Sequence, residues 1–373
     1  MCNMMGDSMK GKRTALYEEH KRLGAKMVNF AGYIMPLWYE DINKEHLNVR
    51  ENVGIFDVSH MGEIVISGPQ ASEAVDFLVT NKVAKVKPGR AVYSPACYSN
   101  GGIVDDMIVY KIDHDHYFIC VNASNKAKDF EHFQKALSGF DCKIEDRSDE
   151  YSQIAVQGPK SEALMAVFFG DWVKDMRPFR HKYAELYGEE VLVATTGYTG
   201  ERGFEVYMPN NIAPEFFRAL LDKGADLGVK PIGLGARDTL RMEMKYCLYG
   251  NDIDESTTPL EAGLEWTVKF DKPDFMGKEA LLKQKEEGIT RHLVQFVVEG
   301  KGFPRHGARC LDEDREIGHV TSSAFSPVIN KVFGLAYVKT GYEAVGTAFE
   351  IDVHGRYRTR AVVVEPPVHK TYK

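Results

Sequence analysis

Twice in this chain, about ninety residues apart, an apolar strand runs into Gly-Pro and then into a helix. The first copy is Glu63-Ile-Val-Ile66, then Gly68-Pro69, then Ala71, Ala74, Val75 and Leu78 at helical spacing. The second is Ile154-Ala-Val-Gln157, then Gly158-Pro159, then Ala163, Leu164 and Val167. Proline suits the first turn of a helix, where its missing N–H would have had no partner. The apolar spacing gives each helix a stripe to bury, and a sheet is the surface that buries it. Two such units predict two related α+β subdomains, and their separation is too long for a repeat array of 20–50 residues. Beyond Gly288 the texture changes to short alternating strands: His292–Val298, Gly334–Val338, Ala348–Val353 and Tyr357–Val364. Turn residues separate them, which predicts a small all-β barrel. The expected division is an α+β region over residues 1–287, ending in the lysine- and glutamate-rich helix 277–287, and a barrel over 288–373.

A length of 373 residues accommodates two or three domains. The net charge is −7 and the basic residues are scattered, which argues against nucleic acid as a partner. No apolar run approaches the ~20 residues of a membrane span. Six cysteines lie far apart without a C-x-x-C pair, which speaks against a zinc site or a disulfide framework and fits a reducing compartment. The polar start, Met1 to Lys12, has no secretory core and little transit-peptide character, so a bacterial cytoplasmic setting is expected rather than a mitochondrial one.

The segment Gly101-Gly-Ile-Val-Asp-Asp-Met-Ile-Val-Tyr110 reads as a buried strand entered from a turn at Asn100-Gly101-Gly102. Two aspartates stand in its middle. Side chains alternate along a strand, so Asp105 is expected to share a face with Ile103, Met107 and Val109, and Asp106 with Val104, Ile108 and Tyr110. Whichever face is buried takes a carboxylate with it. Such a group is either structural, bonded to donors, or a working group with a shifted pKa.

Elsewhere the signals divide. Asn29 to Tyr39 is aromatic and broken by Gly32 and Pro36, so it is a core-plugging loop or a pocket wall. Ser59-His60 suggests a nucleophile and base, but neighbours on an extended chain face opposite ways and cannot pair. Asp113-His-Asp-His116 suggests a metal cluster, but it lies at an expected hairpin tip, which favours a solvated turn. Glu205 sits inside the strand Phe204–Met208 after a glycine-rich turn, where an edge strand with Glu facing water is the plain alternative to a site. Arg237 lies near a helix start, where the dipole favours anions, so a ligand or a carboxylate is expected to hold it. A further strand is expected through Val268 and Phe270.

In order along the chain stand Gly32 to Tyr39, Phe56-Asp-Val-Ser-His-Met-Gly62, Gly101-Gly-Ile-Val-Asp-Asp106, Thr196-Gly-Tyr-Thr-Gly-Glu201 with Phe204-Glu205, Gly233 to Arg241, Tyr249-Gly-Asn-Asp-Ile-Asp254 and Phe325-Ser-Pro327. Together these resemble the T-protein (aminomethyltransferase) family of the glycine cleavage system over nearly the whole chain. The resemblance implies two interleaved α+β subdomains and a C-terminal β-barrel, a cloverleaf around a central folate channel. It implies tetrahydrofolate as co-substrate, no metal, and the lipoylated H-protein as partner, with no nucleic acid and no membrane. The implied reaction moves a methylene carbon from the aminomethyl-lipoyl arm to tetrahydrofolate, with ammonia and 5,10-methylenetetrahydrofolate as products.

By the same resemblance Asp106 is the catalytic carboxylate and Glu205 the partner of the pterin N3–H and 2-amino group. Met61, Tyr93, Asn122, Tyr198 and Arg237 are further ligand contacts, and Trp266 is an aromatic near the folate. Asp105, on the other face of its strand, keeps a structural reading. Three departures stand out. Tyr33 replaces the family's usual tryptophan, Ser322-Ser323-Ala324 replaces Ser-Gly-Thr, and Tyr372 aligns only loosely with a tyrosine that some members place on the folate. Relatives of the same fold include folate-dependent demethylases of methylated sulfur or amine compounds. They also include non-catalytic folate binders that assist iron–sulfur cluster assembly, whose Lys-Gly-Cys-x-x-Gly-Gln-Glu signature is absent from this chain.

Overall fold

Two β-sheets stand face to face in the computed structural model, which describes residues 10–353 and 355–372. The chain weaves between them. After helix α1 (Tyr17–Arg22), a hairpin of β1 (Lys26–Phe30) and β2 (Tyr33–Trp38), and α2 (Ile42–Glu51), strand β3 (Val53–Asp57) enters the first sheet. The chain then crosses to the second sheet for β4 (Gly62–Ser67), α3 (Ala71–Leu78), β5 (Arg90–Cys97), β6 (Ile103–Lys111), β7 (His116–Val121), α4 (Lys126–Ala136) and β8 (Lys143–Asp146). It returns to the first for β9 (Tyr151–Gln157), α5 (Ser161–Phe169), β10 (His181–Leu186), β11 (Glu189–Ala194), β12 (Gly203–Pro209), α6 (Ala213–Lys223) and β13 (Val229–Pro231). The strand orders are β10-β11-β12-β9-β3-β13 and β5-β6-β7-β4-β8, so neither half is complete without the crossing. Two interleaved α+β subdomains are therefore present, as expected.

Each sheet is apolar on both faces. On the outer face of the first, Ile154, Val156 and Phe204 meet Leu164, Met165, Phe216 and Phe217 of α5 and α6. On the outer face of the second, Ile64, Ile66 and Val109 meet Ala74, Leu78 and Phe133 of α3 and α4. Full burial of such a side chain stabilises by about 1.5–3 kcal/mol. The inner faces close on each other through Val65, Tyr110, Phe118 and Cys120 against Leu192, Ala194 and Tyr207. The stripe expected on α5 is rotated: Leu164, Met165 and Phe169 are buried, whereas Ala163 and Val167 face water. Ser-Glu-Ala-Leu-Met-Ala-Val-Phe-Phe is apolar nearly all round, so its spacing does not single out one face.

Helix α7 (Leu234–Glu243) lies beside the inner face of the first sheet, packing Ala236 and Leu240 on Phe56 and Ala155. After α8 (Lys278–Glu287), six strands close a barrel in the order β14-β17-β16-β15-β18-β19, followed by α9 (Val368–Thr371). They are β14 (Arg291–Val298), β15 (Arg309–Asp312), β16 (Arg315–Ser326), β17 (Lys331–Lys339), β18 (Ala348–Val353) and β19 (Tyr357–Val364).

Four of these strands were legible in the sequence. β15 is short, and β16 carries Gly318 and the Thr321-Ser322-Ser323 run, which hide its period behind a register shift between Val320 and Ser322. Pro36 lies within β2, past the Lys12–Tyr33 bridge, where the strand pairs with β1 alone and a missing N–H is tolerated. No strand forms at Val268–Phe270; a short 3₁₀ turn, Glu265–Thr267, precedes irregular chain there.

Candidate active site

The aspartate strand β6 departs from regular alternation at its start. Cys97 of β5 pairs with Ile103 and Ala96 with Asp105, so Val104 is an extra residue in the ladder. This bulge exchanges the faces of what precedes it. Ile103 packs with Tyr93, Cys247 and Leu335 on the Asp106 side, and Val104 joins Met107 and Val109 beneath α3 and α4. The parity expected for Ile103 and Val104 is therefore reversed, while that of the residues from Asp105 onward holds. The turn before the bulge needs both its glycines. Gly101 has φ +87°, and a Cβ on Gly102 would lie 2.0 Å from the carbonyl oxygen of Glu255.

Asp105 is fully buried and Asp106 only partly so. Where the β6–β7 ladder ends, Asn122 takes both carboxylates. Its Nδ2 donates to Asp105 Oδ1 at 2.8 Å and to Asp106 Oδ1 at 2.8 Å, and its backbone N–H donates to Asp105 Oδ2 at 2.9 Å. Tyr93 on β5 donates its hydroxyl to Asp106 Oδ2 at 2.9 Å. Trp266, itself exposed, stacks on the Tyr93 ring with centroids 5.9 Å apart. Burial, reinforced by the charge of Asp105, pushes the Asp106 carboxyl up to about 7 against the hydrogen bonds of Tyr93 and Asn122. A carboxyl poised there can hold or accept a proton at neutral pH.

Glu205 is on β12, inside the sheet between β11 and β9 rather than at an edge, and it is buried. Gln153 on β9 donates Nε2 to its Oε1 at 2.9 Å, and Thr196 donates its hydroxyl to Oε2. Each carboxylate oxygen keeps a lone pair free for a further donor. Burial raises the Glu205 pKa, while Thr196, the nearby Arg237 guanidinium and Gln153 oppose the rise. Arg237, in the first turn of α7, lies with its guanidinium carbon 4.8 Å from the centre of the Tyr198 ring. Among the described residues no carboxylate lies within ion-pairing distance of it. The alternative of Arg237 bracing a carboxylate by direct contact is not what the geometry favours. Tyr198 donates to the carbonyl of Cys247 and stacks on Tyr246. Asp106 and Arg237 both act electrostatically on its hydroxyl.

Met61 packs against the inter-sheet cluster, and its carbonyl accepts from Lys126 Nζ at 3.0 Å. The same ammonium donates to Tyr33, the residue standing in for tryptophan. Ser59 and His60 do not pair. Ser59 exchanges hydrogen bonds with the Gln153 backbone, and His60 is buried with Nδ1 unpartnered. Burial and Arg237 push the His60 imidazole down to about 3, which leaves it neutral. Asp113 to His116 is a hairpin turn, and no group of residues is arranged to hold a metal ion among the described residues.

The arrangement thus offers a proton-managing carboxyl, a carboxylate with two free lone pairs, an uncommitted guanidinium and aromatic walls. Sequence reading missed Gln153 and Thr196, which hold Glu205, and Asn125 and Asp129, which lie behind Asp106 next to Asp105. For Gln153 a signal existed, since a glutamine leading into Ile154-Ala-Val156 in a buried strand must find a partner.

Comparison with known proteins bears on the same residues. A family model described as the GCVT N-terminal domain matches residues 16–272, and one described as the glycine cleavage T-protein C-terminal barrel domain matches 291–370. The chain is 47% identical over 355 residues to an aminomethyltransferase of Halothermothrix orenii, spanning 95% of this chain and 99% of that one. It is 48% identical over 358 residues to an aminomethyltransferase of Bdellovibrio bacteriovorus, with 95% and 99% covered. The crystal structure of the glycine cleavage system aminomethyltransferase T of Bartonella henselae matches with a TM-score of 0.88 at 32% identity, over 95% of this chain and 97% of that one.

Proposed function

This chain belongs to the glycine cleavage T-protein family, and from that premise we propose how its residues carry the family's reaction. It is an aminomethyltransferase of the glycine cleavage system, a one-carbon transferase that uses tetrahydrofolate. The carbon comes from the aminomethyl-lipoyl arm of H-protein, and ammonia is released. Tetrahydrofolate, when bound, supplies N5 as the acceptor of that carbon and N10 as the nitrogen that closes the ring.

Asp106 is the catalytic carboxylate. Ionised, it stabilises the positive charge that develops as the carbon leaves sulfur, and it accepts the proton that N10 gives up. The single observation that carries this is the Asp106 carboxyl itself, partly open, held by Tyr93 and Asn122, and poised near neutrality. Glu205 accepts the pterin N3–H and 2-amino donors on its two free lone pairs, one on each oxygen. Arg237 opposes the rise that burial gives the Glu205 pKa, and it faces the bound ligand together with Tyr198. Tyr93, Trp266, Met61 and Asn122 wall the site. The chain divides functionally after Glu287, with the folate-binding region before it and the barrel after it. No helix of the described residues is long and apolar enough to cross a membrane, and the bacterial relatives support a cytoplasmic setting.

The decisive experiment supplies purified protein with aminomethylated H-protein and tetrahydrofolate and follows ammonia. Demethylation of a small sulfur or amine compound without ammonia from H-protein would overturn the reading. For the ligand pocket, Glu205→Ala is expected to weaken folate binding by about 1.5–3 kcal/mol, the scale of a charge-assisted hydrogen-bonded pair. Calorimetry reads this directly, and an unchanged affinity would remove Glu205 from the pterin site.

A further inference from the structure

Behind Asp106 lies a second layer of acids that never reaches the open side of the site. Asp105 is fully buried, and so is Asp129, one turn into α4. Neither Asp129 carboxylate oxygen meets a hydrogen-bond donor among the described residues, and Asp105 acts on that carboxyl. Asp105 also accepts from Asn125 Nδ2 at 2.7 Å, from the Asn122 backbone N–H at 2.9 Å and from Asn122 Nδ2 at 2.8 Å. The Asn122 amide therefore splits its two hydrogens, one to Asp105 and one to Asp106. Asn122 and Asn125 open α4 through the Asn125 N–H to Asn122 carbonyl bond at 3.0 Å and the Asp129 N–H to Asn125 carbonyl bond at 2.8 Å. The helix start, both asparagines and both inner acids form one hydrogen-bonded unit.

We propose that Asp105 and Asp129 are positioning residues for Asp106: they share one proton, keep one negative charge on the Asp105 side, and act on Asp106 through the Asn122 amide. This rests on the reading of Asp106 as the proton-managing group. Two carboxyl groups that act on each other away from water cannot both be charged. Asp129 is the one that keeps the proton. Burial, with Asp105 second, pushes its carboxyl up to about 10, although Lys128 Nζ lies 3.1 Å from its Oδ1. Lys128 is spread over other partners, since it also donates to the Val104 carbonyl and sits 4.5 Å over the Tyr249 ring. Asp105, left with the charge, fixes the tilt of the Asn122 amide and so the place of Asp106 Oδ1. Its charge also makes the loss of a proton from Asp106 harder. The other titratable groups facing Asp106 are Tyr93 from β5, Tyr198 from the loop before β12, and Cys247 after α7. Burial raises all three above their ordinary range, so they remain neutral near pH 7.

The test is carboxyl ¹³C NMR of the ligand-free full-length protein labelled at the aspartate side chains, with Asp106→Asn identifying the resonance. In the wild type that resonance is expected to titrate at about 7. In Asp105→Asn its midpoint is expected to fall by about one pH unit or more, and the acid limb of kcat/KM for ammonia release to move with it. General damage to the fold would lower activity without moving the midpoint, and an unmoved midpoint overturns the proposal. Asp129→Asn keeps a donor toward Asp105 and the same count of charges, so the midpoint is expected to stay within about 0.3 unit. A fall of about one unit in that variant would mean that Asp129 is ionised, which overturns the shared proton even if Asp105→Asn fails to fold. Near-normal turnover in Asp106→Asn would instead remove the catalytic reading and leave the titrations standing, so the two failures are separable.

Discussion

Asp106→Asn is expected to cut methylene transfer by roughly 10²-fold or more while folate affinity stays within a few-fold. The substitution keeps the shape of the group and an oxygen for the Asn122 or Tyr93 donor, so the pocket remains. The anchor proposed for the pterin, Glu205, lies on the opposite sheet and is untouched. On the proposed role, what is lost is a negative charge where positive charge develops and a base for the N10 proton. Single-turnover measurement of ammonia release, with binding followed separately, separates the two effects, and near-normal turnover would exclude Asp106 from the mechanism. The variant has a second signature, in stability. In the folded protein the Asp106 pKa is raised from 3.8 to about 7, so the folded state holds this proton more tightly than the unfolded chain does. Its contribution is fully present below about 4 and is lost as pH rises through 7. Asp106→Asn should remove that decline from the pH–stability curve.

Asp252→Ala is expected to cost about 3–5 kcal/mol of folding stability, because it strands a buried guanidinium. Asp252 is buried and receives Arg241 Nη1, the Leu248 N–H at 3.0 Å, the Ser322 hydroxyl at 2.7 Å and the Thr321 hydroxyl. Arg241, also buried, has Asp238 at 2.8 Å and Ser322 at 3.0 Å as its other side-chain partners. Asp238 is half exposed, so among the described residues Asp252 is the only fully buried counter-charge bonded to this arginine. Urea unfolding with a constant m-value would report the loss, and a change under about 1 kcal/mol would show that Arg241 recovers water or a new partner.

Much of this was legible because it follows from period and composition. The two strand–Gly-Pro–helix units appear as β4–α3 and β9–α5, and the alternating strands after Gly288 close a barrel. What stayed hidden depends on contacts between distant segments. The bulge at Val104 needs the partner strand β5 to become visible, since no residue in Ile103-Val104-Asp105 announces it. The same holds for Glu205, whose strand looks like an edge until β9 and β11 flank it. Asp105 stood out as an acid in an apolar strand, but nothing in the sequence pairs it with Asp129 on a later helix. The family resemblance named the residues proposed to face the ligand but not those behind them, because a supporting residue shows itself only by what it touches.

The ties around Asp252 also set an order in time. Strand β6 is pinned at its start, where the Ile103 N–H donates to the carbonyls of Asp254 at 3.1 Å and Thr257 at 3.0 Å. That loop is in turn fastened by Thr321 and Ser322 of β16 and by Tyr337 of β17, which donates to the Asp252 carbonyl at 2.9 Å. Protein synthesis runs from the N-terminus, and domains tend to fold as they emerge. Every residue proposed to touch the substrate has been made by Trp266, yet the fastening of the strand that carries Asp106 waits for Tyr337. A nascent chain of this protein therefore owns all its chemistry well before it can aim it.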